Sequence, residues 1–538
     1  MVEFTLYMLA LVVLAYPLGQ WMFGMLEREH HFGPESLVYR LTGVQPDRQM
    51  NWRQYAQALL VFNLLGLLVV YLIQRLQGGL PGNPLHLPGV EPYLSFNTAC
   101  SFSSNTNWQA YGGETTMSWA TQMLALTTQN FVSAATGIAA MMALARGLKR
   151  TETQQLGNFW VDLTRATLSV LMPLSVVLAL LLVTQGVPQT LTQPGAVQTV
   201  EAQSQLLPLG PVASQVAIKQ LGTNGGGYYN VNSAHPLENP TPLSNFFECL
   251  AILLLPAALC HTFGRAVGDG RQGWALLSAM LLLFIPLTLL CIQAEAGNWE
   301  GKEVRFGEAS SALWACATTA ASNGSVNCMH DSLTALGGAI TMIFMLFGEV
   351  VFGGVGCGVY GIVLCALVAV FVAGLMVGRT PEYLGKKIET FEIKMVSLGI
   401  LCMPALVLLM TGAAMLVPAA RAGMFNSGPH GFSEILYGCS SMGNNNGSAF
   451  GGLSANQPFY DLVGGLVMLF SRFWIVIPVL AIAGSLAAKK KVPESAGTLP
   501  THSALFVIWL CVVIVVVGAL CFFPALCLGP VAEHLRYL

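Results

Sequence analysis

An all-α polytopic membrane protein is the fold class predicted by three features of this 538-residue chain: little charge, recurring apolar runs, and four short Asn/Gly loops between those runs. Hydrophobic residues make up 54% and charged residues only 9%, whereas a soluble domain carries about 25% charged residues. The mean hydropathy is +0.62. Apolar runs of about twenty residues, enough for a helix to cross a bilayer core, recur along the chain. The expected architecture is ten transmembrane helices, with four pseudo-repeats of helix–pore loop–helix around a central pore and one extra helix at each end. No long hydrophilic block could host a soluble domain. The net charge of −2 comes without a basic stripe, so nucleic acid is not an expected partner.

The thirteen cysteines include no CxxC pair and no Cys/His cluster with zinc spacing. Most, including Cys260, Cys291, Cys365, Cys402 and Cys511, lie in apolar segments and read as small hydrophobes. A redox enzyme would need paired His or Cys on facing spans, and none stands out.

The first span is expected over 4–25. No basic residue precedes it and no small-x-small cleavage site follows, so it reads as a retained span rather than a cleaved signal. A polar stretch, 27–53, follows. Then a pattern recurs: span, loop, short semi-apolar segment, polar loop, span. The expected spans are 56–73 and 117–148, then 164–184 and 244–267, then 273–294, then 394–417 and 459–488, and finally 504–526. The short segments are 95–104, 212–221, 308–321 and 432–442. These divide the chain into an N-terminal helix and loop (1–54), repeats at 55–150, 151–270, 271–392 and 393–491, and a C-terminal helix (492–538).

The third repeat carries excess apolar sequence, since 332–352 and 359–377 could each cross a bilayer. Lys and Arg cluster in the first polar stretch and at 146–165, 265–271, 379–394 and 489–491. The positive-inside rule makes those loops cytoplasmic. The chain must then cross an odd number of times between Ser322 and Arg379. One crossing broken at the glycine-rich Gly348–Gly356 segment satisfies this. Irregular backbone at membrane depth is tolerated only where it is buried in protein or lines a watery cavity, so the break is expected to face the pore. Ten crossings result, with both termini outside.

The four polar loops are Asn105-Thr106-Asn107, Thr223-Asn224-Gly225, Ser322-Asn323-Gly324 and Asn445-Asn446-Gly447. Each follows about ten residues able to form a helix some 15 Å long, half a bilayer core. Rings of backbone carbonyls can replace the water shell of a potassium ion without fixed charge. Aiming carbonyls inward requires backbone angles that glycine permits and asparagine tolerates. Gly225, Gly324 and Gly447 occupy equivalent places. Asn107 stands there in the first loop, so the four-fold symmetry is approximate. Side chains such as Thr106, Thr223, Ser322 and Asn445 could add oxygens or brace the loops.

These residues resemble a known family. Asn105–Glu114, Thr223–Gly227, Gly378–Lys387 (GRTPEYLGKK), Gly443–Gly447 and Gly497–His502 match the potassium-binding A subunit of the Kdp potassium-transporting ATPase. That subunit belongs to a superfamily of potassium transporters built from four membrane–pore loop–membrane repeats. The resemblance implies a potassium filter formed by the twelve loop residues, with Gln109, Gly226 and Gly227 as support and K+ as substrate rather than cofactor. It also implies a bacterial cytoplasmic (inner) membrane location. The implied partners are a P-type ATPase catalytic subunit, a C-type accessory subunit and a small membrane peptide. The chain itself has no Walker A sequence and no Asp-Lys-Thr-Gly phosphorylation motif, so it is expected not to hydrolyse ATP alone. A stand-alone superfamily transporter gated by a soluble nucleotide-binding ring is the alternative.

Two charges fall at membrane depth, Glu349 in the glycine-rich break and Arg472 in the ninth span. Ionisable groups there are costly and line a pathway or pair with each other. Glu349, Gly353, Gly354 and Arg472 are therefore candidates for a gate below the filter, with a structural ion pair or a snorkelling side chain as the alternative. Lys219, on the second short segment, is expected to point away from the filter and snorkel to the surface. Gln109 either sets the width of the outer mouth or braces the loop. Segment 379–394 is expected to be a cytoplasmic surface helix or a docking surface.

Overall fold

The structure is a computed structural model, and it describes residues 2–193, 195–378, 380–493 and 498–536. Among these described residues, ten helices are long and apolar enough to span a membrane. In chain order, with the shorter helices that build the site, they are α1 (Val2–Leu26), α2 (Trp52–Gly79), α3 (Pro92–Ser103), α4 (Thr121–Lys149) and α5 (Phe159–Thr184). There follow α6 (Val212–Leu221), α7 (Pro242–Val267), α8 (Gly270–Ala294), α9 (Gly307–Ala320) and α10 (Ala335–Leu346). The remainder are α11 (Cys357–Met376), α12 (Thr390–Leu416), α13 (Gly428–Gly443), α14 (Tyr460–Ala488) and α15 (Ala504–His534). The chain thus runs span, short helix, loop, span four times between α2 and α14.

Burial separates the two spans of each unit. The second spans α4, α7, α11 and α14 are 83, 78, 61 and 61% buried over their apolar windows, and the first spans α2, α5, α8 and α12 only 22, 39, 44 and 33%. The second spans therefore form an inner ring and the first spans an outer one. The outer helices present exposed leucines such as Leu64, Leu180 and Leu409, the surface that lipid tails cover. The terminal helices α1 and α15 are peripheral too, at 28 and 39%.

The broken crossing lies where parity requires it. Helix α10 ends at Leu346, α11 starts at Cys357, and Gly348, Glu349, Phe352, Gly353 and Gly356 between them all have positive φ. A Cβ on Gly356 would sit 2.2 Å from the Gly137 carbonyl carbon and oxygen, and one on Gly137 would sit 2.3 Å from the Val355 oxygen. Two glycines thus let the break press directly onto the backbone of α4.

The expected surface helix over 379–394 does not form across its described residues, 380–394. Glu382–Tyr383 pairs with Lys386–Lys387 as a two-stranded hairpin, and α12 begins only at Thr390. Pro381 disfavours a helix before it, and Leu384 and Gly385 both take positive φ at the turn. The Lys386 ammonium donates to the carbonyls of Arg150 and Lys489 at 2.7 and 2.6 Å, so it caps the ends of α4 and α14 together. Arg379 and Gly497, part of the motifs above, lie outside the described residues.

The C-terminal helix is fastened at the opposite end. His430, in the first turn of α13, has Nδ1 2.8 Å from Glu533 and Nε2 3.1 Å from Asp331. The hydrogen bonds to Asp331 and then Glu533 raise its pKa to about 10. A raised value means that the charged clamp contributes fully below the ordinary histidine value of about 6.5 and is lost as pH rises through about 10. The unfolding temperature of the detergent-purified protein should therefore fall between about pH 6.5 and 10 by more in the wild type than in His430→Phe. Parallel curves for the two proteins would show that the clamp does not contribute.

Candidate functional site

The four loops meet at one place, and their backbones share one pattern. The first and third residues of each triplet have positive φ: Asn105 and Asn107, Thr223 and Gly225, Ser322 and Gly324, Asn445 and Gly447. The middle residues Thr106, Asn224, Asn323 and Asn446 do not. A backbone that alternates the sign of φ turns successive carbonyls to the same side, which a regular strand does not do. Each loop leaves the C-terminal end of a short helix (α3, α6, α9 or α13), so the partial negative charge of four helix ends points at the same centre.

The loops also fix one another in order. A Cβ on Gly225 would lie 1.8 Å from the Asn323 oxygen, one on Gly324 2.4 Å from the Asn446 oxygen, and one on Gly447 2.0 Å from the Thr106 oxygen. The third residue of each of these loops therefore abuts the middle carbonyl of the next loop, and no side chain fits. The exception explains itself. Asn107 has a side chain because its neighbour is Gly226, where a Cβ would come within 3.0 Å of the Asn107 Cβ. Asn107 uses that room to donate to Asn130 Oδ1 on α4 at 2.7 Å.

The first position differs between loops for a physical reason. Asn105 and Asn445 are long enough to reach inner helices, where Ser133 and Ser471 donate to their side-chain oxygens at 2.7 and 3.1 Å. Thr223 and Ser322 are short, and the broken segment rises into the space they leave. The Val355 N–H donates to Thr223 Oγ1 at 2.9 Å, and the Ser322 hydroxyl is 2.7 Å from Glu349 Oε1. The Gly353 N–H donates to the Ala320 carbonyl at 2.9 Å. A Cβ on Gly354 would lie 3.4 Å from Thr223 Oγ1. Glu349, Gly353 and Gly354 thus sit directly against the second and third loops. Arg472 is buried on α14 and donates to Cys357 Sγ at 2.8 Å, and the same Cys357 side chain neighbours Glu349. No ion pair joins it to Glu349 among the described residues.

The support residues lie above. Gln109 donates to the Gly227 carbonyl at 2.9 Å and accepts from the Gly227 N–H at 2.8 Å. It braces the first loop against the second. The mouth opens into a cavity of about 900 Å³ whose wall includes Gln109, Trp108, Gly324, Gly447, Lys302 and His330. Beneath the loops lies a cavity of about 50 Å³, lined by Asn444, Asn445 and Glu349 and by the side chains of Met403 and Phe522.

Lys219 does not snorkel. It is fully buried, pairs with Glu238, and donates to Asn232 Oδ1 at 2.7 Å. Asn232 in turn donates to the Gly225 carbonyl at 2.7 Å. The charge is tolerated because a carboxylate on the segment after the loop neutralises it. Glu238 and Asn232 were not foreseen, nor were Ser133, Ser471 and Asn130. One sequence signal was available for Lys219: counting back five residues from the middle of each triplet gives Ser101, Lys219, Thr318 and Ser441. In that column Ser101 and Lys219 offer carbonyls to the N–H groups of Thr106 and Asn224, and Thr318 and Ser441 do the same for Asn323 and Asn446.

A ring of four re-entrant loops closed by inner helices defines a class, the four-repeat membrane proteins with a central carbonyl-lined path. The fold is that of the crystal structure titled potassium transporter TrkH from Vibrio parahaemolyticus, with TM-score 0.54 and 13% identity over 86% of this chain and 96% of that one. The sequence is far more specific. The family model described as potassium-transporting ATPase A subunit matches residues 5–535, and the chain belongs to that family. It is 57% identical to the potassium-transporting ATPase potassium-binding subunit of Sorangium cellulosum, over 99% of this chain and 98% of that protein. Identity is 55% to the subunit of that name in Herpetosiphon aurantiacus (99 and 98% covered) and 52% to that in Chromobacterium violaceum (100 and 99% covered).

Replacing Lys219 by Met should leave Glu238 as a buried unpaired charge, at a cost of about 3–5 kcal/mol. Unfolding of the purified protein should show that loss, and Lys219→Met combined with Glu238→Gln should recover most of it. A double variant no more stable than the single one would mean that the pair is not the source.

Proposed function

We propose that this chain binds potassium on the outer side of a bacterial cytoplasmic membrane and passes it to an ATP-hydrolysing P-type partner. The observation that carries the reading is the alternating backbone of the four triplets, locked by glycine against the next loop's carbonyl. A potassium ion arriving in the outer cavity exchanges water for carbonyl oxygens of Asn105 to Asn107, Thr223 to Gly225, Ser322 to Gly324 and Asn445 to Gly447. These neutral oxygens, set on four helix C-termini, attract a cation without holding it by a fixed charge. Gln109, Gly226 and Gly227 hold the ring in shape.

Below the ring, the broken segment blocks the straight route. Val350, Val351, Phe352 and Val355 are buried there. The small cavity beside Asn444, Asn445 and Glu349 offers the way out, between the break and helices α12 and α15. Glu349 draws the ion into it, and Arg472, beside Cys357 at the start of α11, discourages passage to the cytoplasm. The repeats at 55–150, 151–270, 271–392 and 393–491 supply one loop each. ATP hydrolysis is assigned to the partner, and a C-type accessory subunit and a small membrane peptide complete the complex. The positive-inside distribution supports termini on the outer side. Family membership favours this reading over a stand-alone transporter gated by a nucleotide-binding ring.

Gly225→Ala, Gly324→Ala or Gly447→Ala puts a Cβ where a carbonyl stands and demands positive φ from alanine. The apparent potassium affinity of ATP hydrolysis by the assembled complex should fall about tenfold or more, or rubidium and ammonium should be newly accepted. Asn107→Gly should change it less. Unaltered affinity and ion preference in all three alanine variants, with assembly intact, would move ion choice to the partner subunit.

A further inference from the structure

A second, chemically different pocket lies at the end of the molecule that carries the basic loops. Helix α7 packs against both α1 and α8 there, and glycines close each contact. A Cβ on Gly19 of α1 would be 2.4 Å from the Ala258 oxygen and 2.7 Å from His261 Cβ. A Cβ on Gly273 of α8 would be 2.7 Å from the Cys260 oxygen, and one on Gly264 would be 2.8 Å from the Gly273 nitrogen. The Thr262 hydroxyl donates to the Gly19 carbonyl at 3.0 Å. Over this rigid floor is a cavity of about 580 Å³, within the range of about 300–1,000 Å³ of small-molecule sites.

Its wall combines three cations, Lys149, Arg265 and Arg271, with Tyr16, Trp274 and His261. Arg271 pairs with Asp269, whereas Arg265 lies over the Phe23 ring and Lys149 is exposed at the end of α4. His261 is only 2% exposed, and its Nε2 has no hydrogen-bond partner. The imidazole is boxed between the Tyr16 ring at 5.4 Å and the Trp274 ring at 4.6 Å, and those two rings stack at 6.0 Å. That nitrogen is closed off from the cavity, so the imidazole backs the two rings that line the pocket. Beyond the rings, Leu9 and Val13 of α1 and Leu282 of α8 are exposed and apolar.

We propose that this pocket binds the phosphate headgroup of an anionic phospholipid. Arg265 and Lys149 face the phosphate oxygens, and His261 packs behind the Tyr16 and Trp274 rings. Tyr16 and Trp274 sit at the headgroup level, as amphipathic rings do at membrane interfaces. The acyl chains follow the apolar faces of α1 and α8. Basic pockets between transmembrane helices on the cytoplasmic side recognise anionic headgroups in this way. The leaflet rests on the orientation given under Proposed function, but the pocket and its ligand chemistry do not depend on the path of potassium.

The test is native mass spectrometry of the purified complex in detergent, titrated with phosphatidylglycerol, with phosphatidylcholine and with inorganic phosphate. The wild type should retain phosphatidylglycerol in preference to phosphatidylcholine, and phosphate should not displace it. Arg265→Gln with Lys149→Gln, both on the surface, should lower that retention on the order of tenfold. His261→Phe, which keeps the ring packing behind Tyr16 and Trp274, should change it far less. Equal retention of both lipids, or unchanged retention in the surface double variant, would overturn the proposal. Displacement by phosphate would show a site for a free anion and would also overturn it.

Discussion

The close approach of one loop's third residue to the next loop's middle carbonyl is the contact on which the rest of the structure depends. Buried backbone at membrane depth must find every hydrogen bond within the protein, and none of these loops can do so alone. Asn105 donates to the carbonyls of Gly222 and Thr223, Asn323 to that of Lys219, and Asn446 to that of Thr318. Each loop is therefore completed by its neighbours, and the ring forms as a unit. The inner helices then have a fixed object to lean on, which is why α4 and α14 place serines behind the two asparagines.

Apart from Asn107 in the first loop, the departures from four-fold symmetry are grouped on one side. The second and third loops carry the short first residues, the buried Lys219–Glu238 pair and the broken helix. At the level of the triplets the four units are nearly alike, and immediately below they are not. On the reading proposed above, symmetry governs the surroundings of an ion within the ring, while asymmetry governs where it goes next.

Much of this was legible in the sequence. The apolar runs located the spans to within eight residues at either end, because length and hydropathy alone decide what can cross a bilayer. Counting basic loops identified the broken crossing at Gly348–Gly356, a constraint of parity rather than of propensity. The four triplets announced themselves through glycine and asparagine between apolar runs. What stayed hidden depends on partners distant in sequence. Nothing near Lys219 says that Glu238 folds back onto it. The choice of Asn, Thr, Ser and Asn at the first position means nothing until the break is seen to occupy the space beside the two short residues. The hairpin at Glu382–Lys387 was misread because its charge pattern suits a surface helix, although Pro381 and Gly385 argued for a turn.

On the reading proposed above, with the broken segment as the gate, its seating under the loops has a consequence for leakage. The N–H groups of Gly353 and Val355 are both bonded to the base of the ring, and Ser322 is tied to Glu349. Lowering the segment by a small amount would strip several of these buried groups at once, each at about 1–3 kcal/mol. The seal therefore has no inexpensive first step. Thermal fluctuation should leave it either fully seated or fully displaced, so any leak straight through the protein would occur as rare whole openings rather than as a continuous trickle.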